Sequence, residues 1–473
     1  MQLFEFFGAG MPTVPGVEEI GAKAHVLASL MNASHKIPPG FALSTDYTFL
    51  PHDTDSDLMH RVRGGIRRLG DSCSLPWGSE LLVSVRAGAP VSMPGILTTI
   101  PNVGLGEQTR EHLTTTYGEK FSLDCYRRLI CGLGKALALS GFDLLVDAAV
   151  EFYGDLDAKA LTQVVSQGLK LYEDQTGTRF PDNPDEQLRL AVSAVFDSWS
   201  SDVARDYRVL EGIDDTIGTG CIVQQMVFGN LNDRSCSGVA FSRNPSTGEN
   251  TIWGAFVPEA QGDDLVGGSH EGTPIDQMLW PALHQLQEIM PELEAWFDGV
   301  VDVEFTVEDG NLYLLQTRPA RCEPAAEITV ALDRAFKGEI TREEATELVL
   351  AHFQPIDKVT PSGARLGSGV AAFNGTCSGM AAVAPCIKPE APYVLIANKV
   401  TPEIYTLLMG AQGAVFASGS PTSHIAIIAR ERGIPTVMNV GNLVVEGNVA
   451  SFGKNTVEHG QLITVDKGEV YCA

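Results

Sequence analysis

The chain has 473 residues, more than one ordinary domain, and is expected to fold as two or three domains. Its hydrophobic residues (44%) and charged residues (19%) are in the proportions of a globular protein, not a disordered one. Acidic residues number 59 against 33 Lys and Arg, which gives a net charge of -26. Such a charge repels phosphate backbones and anionic lipids, so neither nucleic acid nor a membrane surface is expected as the main partner.

The same sequence carries no sign of a membrane-spanning or secreted protein. No uncharged apolar run reaches the length of about 18 residues that a spanning helix needs. The opening MQLFEFFGAG lacks the basic region of a signal peptide. The 9 cysteines are odd in number and have no C-x-x-C spacing, which favours reduced thiols and a cytoplasmic location.

Helix-like and strand-like segments alternate through residues 1–320, which predicts a mixed α/β and α+β body. Helices are predicted at 16–31, 55–69, 107–117, 157–174 and 185–199. Strands are predicted at 81–87, 221–228, 238–243, 300–307 and 312–318.

The last two predicted strands carry polar residues at alternating positions. Asp302 and Glu304 are two residues apart, so strand geometry places both carboxylates on one face. The turn Glu-Asp-Gly-Asn that follows predicts a hairpin, with Gln316 and Arg318 on one face of the neighbouring strand.

Residues 321–365 are predicted to connect this body to a second domain. One helix is expected over 324–337, and another begins at Thr341, where Glu344 completes a capping box, and runs to about residue 353. Residues 366–473 are rich in Gly, Ala and Val and contain short strand-like runs, which predicts a small separate α/β domain.

A histidine stands at the start of a helix in this small domain. Thr422 and Ser423 are favourable N-cap residues, His424 falls in the first helical turn, and Gly433 is a natural C-terminal stop. Imidazole is nucleophilic near neutral pH, and a phosphoryl group bound to it would face the free N–H groups of the helix N-terminus. The alternative is a solvent-exposed histidine in a capping region.

The segment PTSHIAIIARERGIP resembles the phosphohistidine segment of the PEP-utilising enzymes, the family of pyruvate phosphate dikinase and PEP synthase. The resemblance continues, in order, through residues 1–320, and NPSTGE and FPDNPDEQL are more similar to pyruvate phosphate dikinase than to PEP synthase. It implies an ATP-grasp nucleotide-binding domain at 1–320, a helical linker at 321–365 and a small swivelling α/β phosphohistidine domain at 366–473. The matching segments include FFGAG, IGAKAHVLASL, LLVSVRAGAPVSMPGI, VQQMVFGN, GVAFSRNPSTGE and VDVEFTVEDGNLYLLQTR.

The resemblance also implies roles for single residues. His424 is the catalytic nucleophile, and Thr422 accompanies it in the T-S-H motif. Glu304 and Gln316 supply oxygens to Mg²⁺, as a hard cation requires. The residues implied in ATP binding are Lys23, Arg86, Gly95, Asp302, Glu304, Gln316 and Arg318.

Two of these assignments have alternatives that involve no ligand binding. Lys23 is also consistent with a solvated surface lysine, and Arg86 with a structural ion pair. Arg127 or Arg128 is expected to add a further cation, and the sequence does not choose between them.

The chain also departs from the family pattern. Ser418-Gly419-Ser420 stands where the family usually has Arg-Gly-Gly, and Thr98 replaces a common acidic residue. Lys23 has alanines, not glycines, on both sides. The chain leaves no residues for the family's C-terminal barrel of about 250 residues, which binds pyruvate or PEP.

We therefore expect a dikinase-type phosphotransferase that uses ATP and Mg²⁺. His424 takes the phosphoryl group and AMP leaves, while inorganic phosphate or water accepts the γ-phosphoryl group. The final acceptor lies on another chain or is a free small molecule. The alternatives are a small-molecule kinase with its acceptor between the two domains, a phosphocarrier subunit of a split enzyme, and a non-catalytic scaffold.

Overall fold

The computed structural model confirms the mixed α/β class, with helices and strands alternating and the strands assembled into several sheets. It divides into two compact units, residues 1–227 with 313–316, and residues 228–312 with 317–473. The residues that the structure describes are 3–10, 13–50, 56–93, 96–142, 144–153, 156–262, 272–278, 280–352, 363–386, 389, 391–399, 402–421 and 423–472.

The first unit is built on a five-stranded sheet in the order β1-β2-β5-β3-β4, whose neighbouring strands all run antiparallel. The middle strands β2 and β5 consist almost entirely of buried residues, because helices cover the sheet. The strands are β1 Leu3–Phe6, β2 Gly40–Leu43, β3 Val83–Gly88, β4 Thr99–Val103 and β5 Gly220–Gln225.

The helices of the first unit match most of the predicted segments, and 107–117 coincides with the predicted bounds. The sequence did not predict α5, α6 or α9. The helices are α1 Val17–Ile20, α2 Ala22–Asn32, α3 Ser56–Cys73, α4 Glu107–Tyr117, α5 Glu119–Ala136, α6 Leu144–Tyr153, α7 Ala158–Thr176, α8 Pro184–Ser198 and α9 Asp202–Glu211.

The prediction of one helix at 16–31 is wrong in one respect, because the helix is interrupted at Gly21. Gly21 has φ +82°, and a Cβ there would lie 1.6 Å from the carbonyl oxygen of Gly88. Only glycine fits this close approach. The break lets α2 start directly against the end of β3, where the N–H of Ala22 donates to the carbonyl of Ala89 at 3.1 Å.

Arg127 and Arg128, the two candidate cations, both pair with Asp124 on α5. Arg127 Nη2 lies 2.7 Å and Arg128 Nε 2.9 Å from the carboxylate, and the two arginine side chains are only 9% and 5% exposed. Burial acts to raise the pKa of Asp124, but the two guanidinium groups outweigh it and lower that pKa to about 2. These contacts favour a structural role for both arginines.

Asp124→Asn is expected to lower the free energy of unfolding by about 3 kcal/mol, because two buried guanidinium groups lose their partner. The pKa of the Asp124 carboxyl is lower in the folded than in the unfolded state, so the ionised carboxylate adds about 2 kcal/mol to the free energy of unfolding. This contribution is present above pH 4 and is lost as the pH falls towards 2. Urea unfolding at pH 7 and at pH 3 measures both effects. Asp57→Asn is the matched control, because Asp57 is 66% exposed in its pair with Arg61 and should lose less than about 1 kcal/mol. An equal loss in the two variants would contradict the assignment.

The second unit begins with another five-stranded sheet, in the order β10-β9-β6-β7-β8. Its strands β6, β7 and β9 pair antiparallel, so residues opposite each other share a face. The strands are β6 Cys236–Phe241, β7 Trp253–Pro258, β8 Thr273–Pro274, β9 Val301–Glu308 and β10 Asn311–Pro319.

One helix, α10 Trp280–Phe297, lies between β8 and β9 along the chain, and two helices follow β10: α11 Pro324–Lys337 and α12 Arg342–His352. The predicted capping box at the start of α12 is confirmed. The N–H of Thr341 donates to Glu344 Oε2 at 2.7 Å, and the N–H of Glu344 donates to Thr341 Oγ1 at 3.2 Å. Arg243, 4% exposed, links the end of β6 to α10 through Glu294 and to α11 through Asp333.

The C-terminal part of the second unit is an eight-stranded sheet in the order β11-β21-β20-β13-β14-β15-β16-β12. Strands β13 to β16 are parallel and enclose a core that includes Val394, Ile396 and Val415. A separate antiparallel sheet holds β17, β18 and β19. The strands are β11 Arg365–Ser368, β12 Val370–Phe373, β13 Thr376–Val383, β14 Tyr393–Ala397, β15 Gly413–Phe416, β16 Thr436–Met438, β17 Leu443–Glu446, β18 Val449–Phe452, β19 Asn455–Glu458, β20 Leu462–Asp466 and β21 Glu469–Cys472, and the helices are α13 Pro402–Leu408 and α14 His424–Arg432.

All nine cysteines are free thiols, as their odd number and spacing led us to expect. Among the described residues, no helix combines the length and the apolar character needed to cross a bilayer.

Candidate functional site

Lys23 and Arg86 lie on adjoining elements of the first unit. Lys23 is the second residue of α2 and is half-buried. Its Cβ is 3.5 Å from the place where a Cβ on Gly88 would stand, so it lies beside the end of β3. Because β3 also carries Arg86, one corner of the sheet holds both of these predicted phosphate-binding residues.

Arg86 is almost buried, at 8% exposed, and reaches the segment that carries Gln316. Its Nη1 donates to the carbonyl of Leu315 at 3.1 Å, directly before Gln316, which is half-buried. The structure therefore brings Arg86 next to Gln316, with Lys23 on the adjoining helix. Positive charge is concentrated in this corner of a strongly acidic protein.

Asp302 and Arg318 form a buried ion pair in the second unit. Arg318 Nε donates to both carboxylate oxygens of Asp302, at 3.0 and 2.9 Å, and the two side chains are 16% and 5% exposed. Burial raises the pKa of Asp302 to about 6, against the opposing effect of Arg318. Burial acts to lower the pKa of Arg318, but the negative charges of Asp302 and Glu304 raise it above its ordinary value. Both groups are therefore charged at neutral pH.

A cross-strand row of side chains extends from Asp302 over the sheet. Phe241 on β6 is directly opposite Asp302 on β9, and Trp253 on β7 is directly opposite Phe241. Opposite residues of antiparallel strands share a face, so the three side chains lie in one row. Glu304, two residues after Asp302, is half-buried and belongs to the same face.

His424 is the first residue of α14, at the carboxyl end of the parallel strand β15. The N-cap is Ser423, whose Oγ accepts a hydrogen bond from the N–H of Ala426 at 3.5 Å. The helix ends at Gly433, with φ 63°, as the sequence predicts. The carboxyl ends of parallel strands are the usual ligand side of an open α/β sheet.

Two of the predicted site residues, Gly95 and Thr422, lie outside the described residues. The sequence analysis gave no role to Arg430, which the structure brings to the Asp302 face. Arg430 is 6% exposed, and its guanidinium carbon lies 5.3 Å from the centre of the Phe241 ring and 5.8 Å from that of Trp253. It follows five uncharged residues and begins the charged run Arg-Glu-Arg at the end of the helix, and this position directly after an apolar stretch is the signal in the sequence that marks it.

The donor set is compatible with Mg²⁺ bound mainly through a nucleotide. Over the described part of the chain, no group of three or more His, Cys, Asp or Glu side chains is placed to hold a metal ion. Mg²⁺ usually takes only one or two protein carboxylates and completes its shell with water and substrate phosphates. Glu304 on β9 and the amide oxygen of Gln316 on β10 are oxygen donors of the required kind.

Comparison with known families gives two matches. Residues 48–277 match the pyruvate phosphate dikinase AMP/ATP-binding domain. Residues 389–469, which include α14, match the mobile domain of the PEP-utilising enzymes. The first match includes Arg86 and Gly95, and the second includes Thr422 and His424. The other candidates lie outside both matched ranges: Lys23, Asp302, Glu304, Gln316 and Arg318.

Several curated proteins are similar over almost the whole chain. A pyruvate, phosphate dikinase of Rhizobium meliloti is 32% identical over 98% of the chain and 58% of its own length. Pyruvate, phosphate dikinase 1, chloroplastic, of Arabidopsis thaliana is 32% identical over 95% of the chain and 50% of its own length. The corresponding protein of Clostridium symbiosum is 32% identical over 96% and 56%. The chain thus spans about half the length of the curated relatives it matches.

Proposed function

Because this chain belongs to the family of pyruvate phosphate dikinase and the other PEP-utilising enzymes, we propose that it is an ATP-dependent phosphotransferase with a phosphohistidine intermediate on His424. The observation that carries the proposal is the position of His424, the first residue of a capped helix inside the matched mobile domain. In this proposal residues 1–320 bind the nucleotide, 321–365 connect, and 366–473 carry the histidine.

The local backbone suits a phosphorylated histidine. The first N–H groups of a helix have no partner within the helix, so those that Ser423 does not cap are available to the oxygens of a phosphoryl group. The helix dipole adds about 0.3–1 kcal/mol for an anion in the first turn. The same dipole disfavours imidazolium, so the ring nitrogen keeps the lone pair that it needs for attack.

The chemical step breaks one phosphorus–oxygen bond and forms one phosphorus–nitrogen bond. A neutral imidazole nitrogen of His424 attacks the β-phosphorus of ATP, and the bond to the oxygen bridging the α- and β-phosphorus breaks. AMP leaves with that oxygen, and the ring loses the proton on its other nitrogen. The γ-phosphoryl group then passes to inorganic phosphate or water, which yields pyrophosphate or phosphate and leaves phosphohistidine.

The nucleotide site in this proposal uses the basic residues described above. Lys23, Arg86 and Arg318 neutralise the phosphate charge, and Gly95 contributes to ATP binding, as the family resemblance implies. Asp302 keeps the guanidinium of Arg318 charged and fixed. Glu304 and Gln316 supply oxygens to Mg²⁺, which offsets charge on the transferred group when it is bound. Positioning and charge neutralisation supply most of the rate in such transfers.

The acceptor of the phosphoryl group is proposed to be a free small molecule or a site on another chain. The chain spans about half the length of these relatives, so the proposal does not assign to it the reaction of the full-length proteins. The reduced thiols support a cytoplasmic location.

Product analysis tests the proposed reaction. The protein is incubated with ATP and Mg²⁺, with and without inorganic phosphate, and nucleotides and pyrophosphate are separated by anion-exchange chromatography. We expect AMP as the nucleotide product, with pyrophosphate when phosphate is the second acceptor. ADP as the main product would contradict the proposal, because it means that only the γ-phosphoryl group was transferred.

A further inference from the structure

Arg430 is joined to the turn that carries His424. Its Nη2 donates to the carbonyl oxygen of Pro421, three residues before His424. A long helical side chain leans towards the N-terminus of its helix, which brings the guanidinium from the end of α14 back to the start. The conformation of the histidine turn is therefore tied to the position of this side chain.

The same guanidinium also faces the sheet that contains β6, β7 and β9. It lies over the rings of Phe241 and Trp253, which belong to the row that ends at Asp302. Among the described residues, Nε has no hydrogen-bond partner. Burial lowers the pKa of Arg430 to about 10, and the charges of Asp302 and Glu323 oppose that shift. The aromatic faces and the nearby carboxylates thus stabilise a cation that is poorly satisfied by hydrogen bonds.

A second set of contacts joins the same two parts of the unit. Glu323, the N-cap residue of α11, is 7% exposed and accepts hydrogen bonds from Ser246 Oγ at 2.6 Å and from Asn374 Nδ2 at 3.2 Å. Ser246 follows β6, and Asn374 lies between β12 and β13 of the C-terminal sheet. Two contacts therefore join the C-terminal part of the unit to the region of β6 and β7, a polar one through Glu323 and a cationic one through Arg430 of α14.

From this arrangement we propose that Arg430 is a positioning residue that couples docking of the small domain to the placement of the histidine turn. The inference rests on the phosphohistidine function proposed above. Phe241 and Trp253 receive Arg430 only while α14 lies on their sheet, and in that state Arg430 holds the carbonyl of Pro421. When the small domain moves away from this sheet, the guanidinium loses its contacts with Phe241 and Trp253 and becomes hydrated. Its hydrogen bond to the Pro421 carbonyl then weakens. The histidine turn is therefore positioned for attack on ATP in the docked state.

The test is a single-turnover experiment with the full chain, [β-³²P]ATP and Mg²⁺, in which acid-labile label on the protein is followed over time. Arg430→Met should slow labelling by about 100-fold, the size of effect that a misplaced reacting group produces. The KM for ATP should change less than about twofold, because the hydrogen bond of Arg430 goes to Pro421 and not to a residue proposed to bind the nucleotide. Arg430→Lys should recover part of the rate, since it keeps a cation over the rings.

Two further variants separate positioning from a merely structural role. Arg432→Met is the matched control, because Arg432 lies on the same helix and is exposed. The Arg432→Met protein should be labelled at the same rate as the unaltered protein. Trp253→Leu removes one of the two rings that contact Arg430 and should slow labelling by about tenfold when it is the only substitution. In a protein that already carries Arg430→Met, the same substitution should have no further effect. Additive effects of the two substitutions would overturn the coupling.

The outcomes also separate this inference from the proposed function. If the unaltered protein takes no label, the phosphohistidine function fails and the inference fails with it. If the unaltered protein is labelled and both Arg430→Met and Trp253→Leu are labelled at the same rate, the function stands and only the role of Arg430 is overturned. If Arg430→Met does not fold, Trp253→Leu and Arg430→Lys decide the matter.

Discussion

His424→Asn is expected to reduce the conversion of ATP to AMP by more than about 1,000-fold, because it removes the proposed nucleophile and with it the proposed phosphohistidine. Asparagine is a polar residue that helices accept near their start, so α14 should still form after Ser423. The rate of AMP formation at saturating ATP measures the effect. ATP affinity should be unchanged, since the residues proposed to bind the nucleotide are untouched.

His60→Asn provides the matched control for this substitution. His60 is an exposed residue of α3 and carries no proposed function. Its AMP formation should equal that of the unaltered protein. A His424→Asn protein that still forms AMP at the native rate would mean that water or another side chain attacks the nucleotide.

Arg318→Met is expected to lower the free energy of unfolding by about 3–5 kcal/mol, because it leaves the carboxylate of Asp302 buried without its partner. It should also weaken ATP binding by about 10–100-fold, since a guanidinium that contacts phosphate contributes about 1.5–3 kcal/mol. Urea unfolding measures the first effect, and equilibrium dialysis with labelled ATP and Mg²⁺ measures the second.

The double variant Asp302→Asn/Arg318→Met distinguishes these two effects. Removing both charges abolishes the uncompensated buried carboxylate, so most of the lost stability should return. ATP binding should stay weak, because the cation that is proposed to bind phosphate is still missing. If ATP binding recovered together with stability, Arg318 would have only a structural role.

Local signals were enough to predict many of the elements. Glycines at 106 and 118 flank α4, and Gly433 follows α14, so these helices were placed almost at their observed ends. The capping box at Thr341 specified the start of α12 in the same way. These patterns involve residues within a few positions of one another, and a sequence shows them directly.

Helix α5 was missed because tertiary packing outweighs its local propensity. It contains Gly132 and Gly134, which disfavour a helix interior. A Cβ on Gly134 would lie 2.6 Å from the ring of Phe142, and one on Gly132 would lie 3.1 Å from Pro101. The glycines are therefore needed for close packing, which no helical periodicity reveals.

The candidate site was predictable only in part, for a related reason. The alternation of Asp302 and Glu304 on a strand follows from strand geometry. The row that joins Asp302 to Phe241 and Trp253 depends on pairing between distant strands, and Arg430 joins it from a helix far along the chain. Such non-local contacts leave no periodic pattern, so the structure was needed to find them.

The most direct test of the account follows the phosphorus atom itself. The protein is incubated with ATP labelled at the β- or at the γ-phosphorus, together with Mg²⁺ and inorganic phosphate, then digested under alkaline conditions, and the labelled peptide is identified by mass spectrometry. We predict stable β-label on His424 and γ-label released as pyrophosphate. Stable label from the γ-phosphorus alone, or β-label on a peptide without His424, would contradict the account.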